Sequence, residues 1–240
     1  MTVPSGKVYL IGAGPGAADL ITVRGARALA QADVVLYDAL ITPEMLELCP
    51  QAVLISVGKR SGKRSAAQEH INQILVESAA QYSTVVRLKG GDPMLFGRAD
   101  EELNALESAG IEYEIIPGIT TALAAAASIR QPLTKRGVAR SVALFTSSTA
   151  PGESTDTRIP NCDTLVQYMG GKEAMLTAQR LLDVGHPPTL PIFVIENCSR
   201  HDERSQSLTL AELANGLPAS DGPVLVMMGE SMRPRKHTVR

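Results

Sequence analysis

The sequence predicts an α/β protein of two domains, each built on a mainly parallel or mixed sheet. Three observations lead there. Short apolar runs alternate with helical patterns through the first half of the chain. The 240 residues, 44% of them hydrophobic, suffice for one large core or two half-size ones. Pro117-Gly118 then interrupts the alternation near the midpoint, and the composition changes after it. The expected domains are residues 1–117 and 118–240.

The first half reads as βαβα. Apolar runs at 8–11, 34–37, 53–56, 85–88 and 113–116 have strand length and are rich in Val and Ile. Helical patterns fill the intervals at 22–32, 43–48, 65–80 and 100–109, and Gly110 is placed as the glycine just past a helix end. Strands joined by helices run parallel and are covered on both faces. Beyond Pro117, residues 120–128 form an Ala-rich helix. Further strands are expected at 142–146, 164–168, 192–196 and 224–228, with helices at 172–184 and 209–215. Residues 149–163, TAPGESTDTRIPNCD, read as a loop by composition. No repeat relates the two halves.

Charge and composition narrow the function classes. The formal net charge is −2, aromatics are 3% of residues and Trp is absent, which disfavours a nucleic-acid surface. The cluster Lys59-Arg60-Ser61-Gly62-Lys63-Arg64 and the tail RPRKHTVR each hold four bases and no acid. The rest of the chain carries 15 Lys/Arg against 25 Asp/Glu, so cations are concentrated locally. Cys49, Cys162 and Cys198 are few and far apart, as in a reduced cytoplasmic protein. No leader is visible, and the most apolar helical stretch is too short to span a bilayer. His70, His186, His201 and His237 are isolated, so no metal site is expected.

Two glycine-rich stretches follow predicted strands, where parallel-sheet proteins bind ligands. In VYLIGAGPGAADLIT, Gly12, Gly14 and Ala17 fit G-x-G-x-x-G/A, and Asp38 lies 21 residues beyond Ala17. That is a dinucleotide fingerprint, and a nicotinamide-dependent oxidoreductase is one reading. Pro15 counts against it, because it removes an N–H from the loop that should cradle pyrophosphate. The second stretch, VVRLKGGDPMLFGRADEE, places Gly90, Gly91, Asp92 and Pro93 just past another strand.

These stretches, together with ADVVLYDALI, VGKRSGK, IIPGITTALAAAA, PLTKR, LVQYMG and PVLVMMGE, resemble the tetrapyrrole methylase family in order along nearly the whole chain. The resemblance implies two α/β domains with S-adenosylmethionine in a cleft between them, S-adenosylhomocysteine as product, and a homodimer. It implies that Pro15, Gly90, Gly91, Asp92, Leu95, Thr120, Thr121, Met169 and Cys198 contact the cofactor. RLKGGDP, YDALI and VGKRSGK point to the branch that methylates uroporphyrinogen III at C2 and C7, giving precorrin-2. In that branch Asp38 would be the proton acceptor and Lys59 the proton donor, with Arg98, Glu101 and Arg136 on the substrate. A polyanionic macrocycle fits cations such as Lys59, Arg60, Lys63, Lys89, Arg98, Lys135, Arg136 and Arg140. The chain departs from the family at Thr134-Lys135-Arg136, at Thr146-Ser147-Ser148 and at Ala99-Asp100. These lie mostly on the substrate side, and they leave methylation of another acidic tetrapyrrole as the alternative.

Overall fold

A computed structural model describes residues 6–58, 64–148 and 158–234. The chain divides into two compact units, residues 1–120 and 121–240, three residues beyond the expected boundary at Pro117.

The first unit holds β1 (Lys7–Gly12), α1 (Val23–Leu29), β2 (Val34–Tyr37), α2 (Pro43–Leu46), β3 (Val53–Ser56), α3 (Arg64–Gln81), β4 (Thr84–Lys89), α4 (Ala99–Ser108) and β5 (Tyr113–Ile116). All strand pairs are parallel, in the order β3-β2-β4-β1-β5. The central strands β1 and β4 read as near-continuous apolar runs because both their faces are covered. On one face Val8, Leu10, Val34, Leu36 and Val85 pack against Leu75 and Ala79 of α3 and Leu106 of α4. On the other, Ile11, Val35, Val86 and Leu88 pack against Leu29 of α1 and Met45 of α2.

This topology fixes where a ligand can sit. The connection leaving β1 passes over β4 to reach β2, whereas the one leaving β4 passes over β1 to reach β5. Their helices α1 and α4 therefore cover opposite faces, as the two core clusters confirm. The carboxyl ends of β1 and β4 are a topological switch point, where the diverging connections open a crevice.

The helix ends obey their local chemistry. Thr22, expected inside α1, is its N-cap and accepts from the Gly25 N–H at 3.1 Å. Gly110 has φ +66°; its N–H reaches the Glu107 carbonyl, and the Ile111 N–H reaches that of Leu106. That pairing closes α4 with a Schellman motif.

The second unit holds α5 (Thr121–Ser128), β6 (Val142–Thr146), β7 (Thr164–Tyr168), α6 (Gly170–Asp183), β8 (Pro191–Glu196), β9 (Arg204–Thr209), α7 (Leu210–Leu213) and β10 (Val224–Met228). Its sheet, β6-β7-β10-β8-β9, is mixed: β6 and β7 are parallel, and β10 runs antiparallel to both β7 and β8. Strand β9, RSQSLT, was not expected. It is a largely exposed edge strand with no apolar alternation to reveal it. Ala174, Ala178 and Leu181 of α6 pack on one face of the sheet, and Ala122, Ala125 and Ala126 of α5 on the other.

Candidate active site

The two glycine loops of the first unit meet each other. Gly14 and Gly91 form an antiparallel bridge: the Gly91 N–H donates to the Gly14 carbonyl at 2.7 Å, and the Gly14 N–H donates to the Gly91 carbonyl at 3.2 Å. Gly14 has φ +77° and Gly91 φ +70°, a conformation glycine adopts without steric cost. The turn after β5 joins them. A Cβ on Gly12 would stand 2.5 Å from the Gly118 nitrogen and 2.7 Å from the Gly91 oxygen, so three loops touch through backbone alone.

Asp92 locks this arrangement. One carboxylate oxygen accepts from the Gly118 N–H at 2.9 Å and the other from the Met94 N–H at 2.8 Å. Both oxygens of this carboxylate already hold loop backbone. The space beside Gly91 is open, with no atom within 4 Å of where its Cβ would stand. This is a cradle of backbone that a side chain would fill, suited to a ligand approaching closely. Pro15, Gly90, Leu95 and Thr120 line the same loops and are half-buried.

In the second unit the strand directions gather the remaining expected contacts. β7 and β8 both run antiparallel to β10, so their carboxyl ends, Tyr168 and Glu196, flank the start of β10. Met169 and Cys198 follow those ends. The Tyr168 hydroxyl accepts from the Ala122 N–H at 3.1 Å, and Cys198, Ala122 and Tyr168 share one apolar cluster, which brings the start of α5 and Thr121 to the same place. Cys198 is 4% exposed, and burial, aided by Glu203, pushes its thiol up to about 12. It is a neutral, buried thiol at neutral pH and not a nucleophile. Met169, by contrast, is 49% exposed. Grooves lined by Arg204 and Leu217, by Asn161 and Met228, and by Arg158 and Val184 include none of Thr121, Met169 or Cys198.

Backbone strain marks the same segments. Among the described residues, six non-glycine residues have positive φ, namely Phe96, Arg98, Arg130, Met169, Asn197 and Ser199. All but Arg130 fall in the loops that carry the candidate residues, the pattern expected where a site constrains the backbone.

The largest feature that sequence reasoning missed is a buried charge cluster beside the second glycine loop. Arg87 is 2% exposed and Glu102 is fully buried. Arg87 Nε donates to Glu102 Oε1 at 2.9 Å and Nη2 to Asp38 Oδ1 at 2.7 Å. Lys89 donates to both Glu102 oxygens at 2.9 Å. Burial and the adjacent Arg87 hold the Lys89 ammonium below its ordinary value, while Asp38 and Glu102 raise that of Arg87 against its burial. Lys89 is therefore not a substrate-facing cation as expected. Its charge is spent inside the protein. The signal was present in the sequence: 85, 87 and 89 share a strand face, and Ala99, Glu102 and Leu106 share the core stripe of α4.

Asp38 extends the row Val34, Leu36 on that same face, at the carboxyl end of β2. In the doubly wound dinucleotide folds β2 lies beside β1, which lets the acidic residue reach the ribose. Here β4 stands between them. Asp38 is displaced by an extra strand and bound to Arg87, so the dinucleotide reading of GAGPGA fails on strand order.

Arg98 and Glu101 are exposed and paired at 2.6 Å. Arg136 is exposed in the turn that Lys135 and Ala139 close. Lys59, Arg60 and Lys63 lie outside the described residues. Among the described residues no group of three potential metal ligands exists, and no helix is long and apolar enough to cross a membrane.

The family described as Tetrapyrrole (Corrin/Porphyrin) Methylases matches residues 7–214. The chain is 44% identical over 229 residues to siroheme synthase 2 of Yersinia pestis, covering 94% of this chain and 48% of that protein. It thus spans about half the length of several of the curated relatives it matches. It is 42% identical over 233 residues to uroporphyrinogen-III C-methyltransferase of Pseudomonas aeruginosa, covering 95% of each. Among solved structures, uroporphyrin-III C-methyl transferase from Thermus thermophilus complexed with S-adenyl homocysteine superposes with a TM-score of 0.84 at 38% identity, over 95% of this chain and 99% of that one. A cobalt precorrin-4 methyltransferase superposes with a TM-score of 0.80 at 27% identity, over 95% and 96% of the two chains.

Proposed function

Since the chain belongs to the tetrapyrrole methylase family, we propose that it transfers methyl groups from S-adenosylmethionine to C2 and C7 of uroporphyrinogen III, giving precorrin-2. The observation that carries this reading is the Gly14–Gly91 bridge at the switch point of the first sheet, with open space beside Gly91. A sulfonium cofactor has no phosphates to cradle, so the N–H missing at Pro15 costs it nothing.

The residues divide by task. Pro15, Gly90, Gly91, Leu95 and Thr120 offer the cofactor a close backbone surface, and Asp92 holds that surface in shape. Thr121, Met169 and the neutral Cys198 supply its largely apolar remainder. When bound, the cofactor provides an electrophilic methyl on sulfur. The protein's part is to align it with an electron-rich pyrrole carbon and to exclude water. Asp38 accepts the proton released from the ring and Lys59 returns one. Arg98 and Arg136 meet the carboxylates of the macrocycle. Arg98 exchanges its exposed pair with Glu101 for a substrate carboxylate, at little cost in stability. The reading includes a homodimer acting in the cytoplasm.

Calorimetry with S-adenosylhomocysteine, followed by incubation of the protein with S-adenosylmethionine and uroporphyrinogen III, tests this. Binding and a product carrying two added methyl groups are expected. Binding without methylated product would remove the substrate assignment, and tight binding of NAD instead would remove the cofactor. A second reading, methylation of another acidic tetrapyrrole, follows from Thr146-Ser147-Ser148. Ser147 accepts from Gln167 at 3.1 Å and so faces inward, while Thr146 accepts from the Ser148 N–H. Product masses over a substrate panel separate the two.

A further inference from the structure

We propose that Arg87 is a positioning residue, which fixes the Asp38 carboxylate with one oxygen open while Glu102 and Lys89 anchor the guanidinium from behind. The proposal deepens the functional reading above and rests on Asp38 acting in methyl transfer.

Arg87 has no freedom. Its Nε holds Glu102, its Nη2 holds Asp38, and its Nη1 donates to the carbonyls of Leu88 at 3.1 Å and Leu36 at 3.4 Å. Glu102 has none either. Lys89 grips both its oxygens, and Gln68 Nε2 stands 3.5 Å from Oε1. Two cations face two carboxylates, so the cluster is neutral and Arg87 cannot leave Asp38 without stranding a buried charge. Asp38 is the one member that reaches the surface, with 29% of its side chain exposed. Oδ1 is clamped, and Oδ2 has no hydrogen bond among the described residues. A carboxylate held by one oxygen and open at the other is a fixed acceptor. The pyrrole N–H groups of a reduced tetrapyrrole, or the proton released as a ring carbon is methylated, suit it.

Stability alone does not call for this arrangement. A buried ion cluster is often no more stabilising than apolar side chains of the same volume. Lys is not equivalent to Arg here, because the planar guanidinium offers separate nitrogens to Glu102, to Asp38 and to two backbone carbonyls, whereas an ammonium is a single point.

The test uses the full chain as Arg87→Met, Arg87→Lys, Asp38→Asn and the two double variants. Arg87→Met leaves Lys89 and Glu102 as a neutral pair and Asp38 in contact with water, so it keeps the proposal testable if Arg87→Lys does not fold. Expected are S-adenosylhomocysteine affinity within about twofold of the parent and kcat for uroporphyrinogen III lowered by about tenfold or more. In the Asp38→Asn background the same Arg87 change should have no further effect on kcat, which a purely structural role would not produce. In crystal structures of the Arg87 variants the Asp38 carboxylate should rotate or lose order. Equal losses of kcat in both backgrounds, or an unmoved Asp38 carboxylate, would overturn the proposal. If the parent binds S-adenosylhomocysteine but methylates nothing, the functional reading fails and the crystal comparison alone decides the role of Arg87.

Discussion

Gly12 and Gly91 are both glycines at the candidate site, yet they are glycines for different reasons. Gly12 has no room: a Cβ there would press on Gly118 and on the Gly91 carbonyl, both backbone and unable to move aside separately. Gly91 has room but an unusual conformation, with φ +70° and open space beside it. Gly12→Ala should therefore push the three loops apart and abolish S-adenosylhomocysteine binding, with a visible loss of stability. Gly91→Ala should cost only about 1–2 kcal/mol from the left-handed backbone, while its methyl occupies ligand space and weakens binding. Calorimetry beside thermal melts checks both. An alanine at Gly12 that binds normally would remove the three-loop contact as a requirement. Arg87, Lys89 and Glu102 teach the complementary lesson. Each is a charged residue legible in the sequence, but only their meeting shows that Lys89 is an internal anchor and not a substrate ligand.

At the scale of elements, propensity and periodicity located most of the structure because most strands are apolar and α4 and α6 carry clear core stripes. Ala174, Thr177, Ala178 and Leu181 on α6 follow the helical repeat. β9 escaped for the opposite reason, since its residues are polar and its strand character comes from pairing with β8. The chain then turns directly into α7 through a capping box. The Thr209 hydroxyl accepts from the Glu212 N–H, and the Glu212 carboxylate accepts from the Thr209 N–H at 2.7 Å. Those bonds to Thr209 hold the Glu212 carboxyl below its ordinary value. Thr209→Ala should cost about 1 kcal/mol and lower Tm by about 2–4 °C. Its affinity for S-adenosylhomocysteine should not change, because the box lies on β9 and α7, elements that carry none of the candidate residues. A larger loss would mean that β9 depends on this cap for its pairing.

At the scale of the whole molecule, stability should fall in alkali through Cys198. Its folded thiol is raised to about 12 by burial, whereas an unfolded thiol ionises near about 8.5. The contribution is complete below the unfolded value and is lost as pH rises toward the folded one, amounting to about 2 kcal/mol at pH ~10. Cys49, also raised by burial, acts in the same direction, and Lys89, lowered by burial, acts against it. The comparison is therefore between the parent and Cys198→Ala in urea. The variant should show the shallower decline between pH ~8 and ~10, and parallel curves would show that the thiol is not protected. The sequence by itself determined the two α/β halves, the glycine loops and the family, because apolar periodicity and short motifs are local properties of the chain. Only the tertiary structure decided that β4 inserts between β1 and β2, because strand order depends on how crossovers pack and not on any local pattern. That insertion removed Asp38 from a dinucleotide ribose and set it against Arg87, which no spacing in the sequence records.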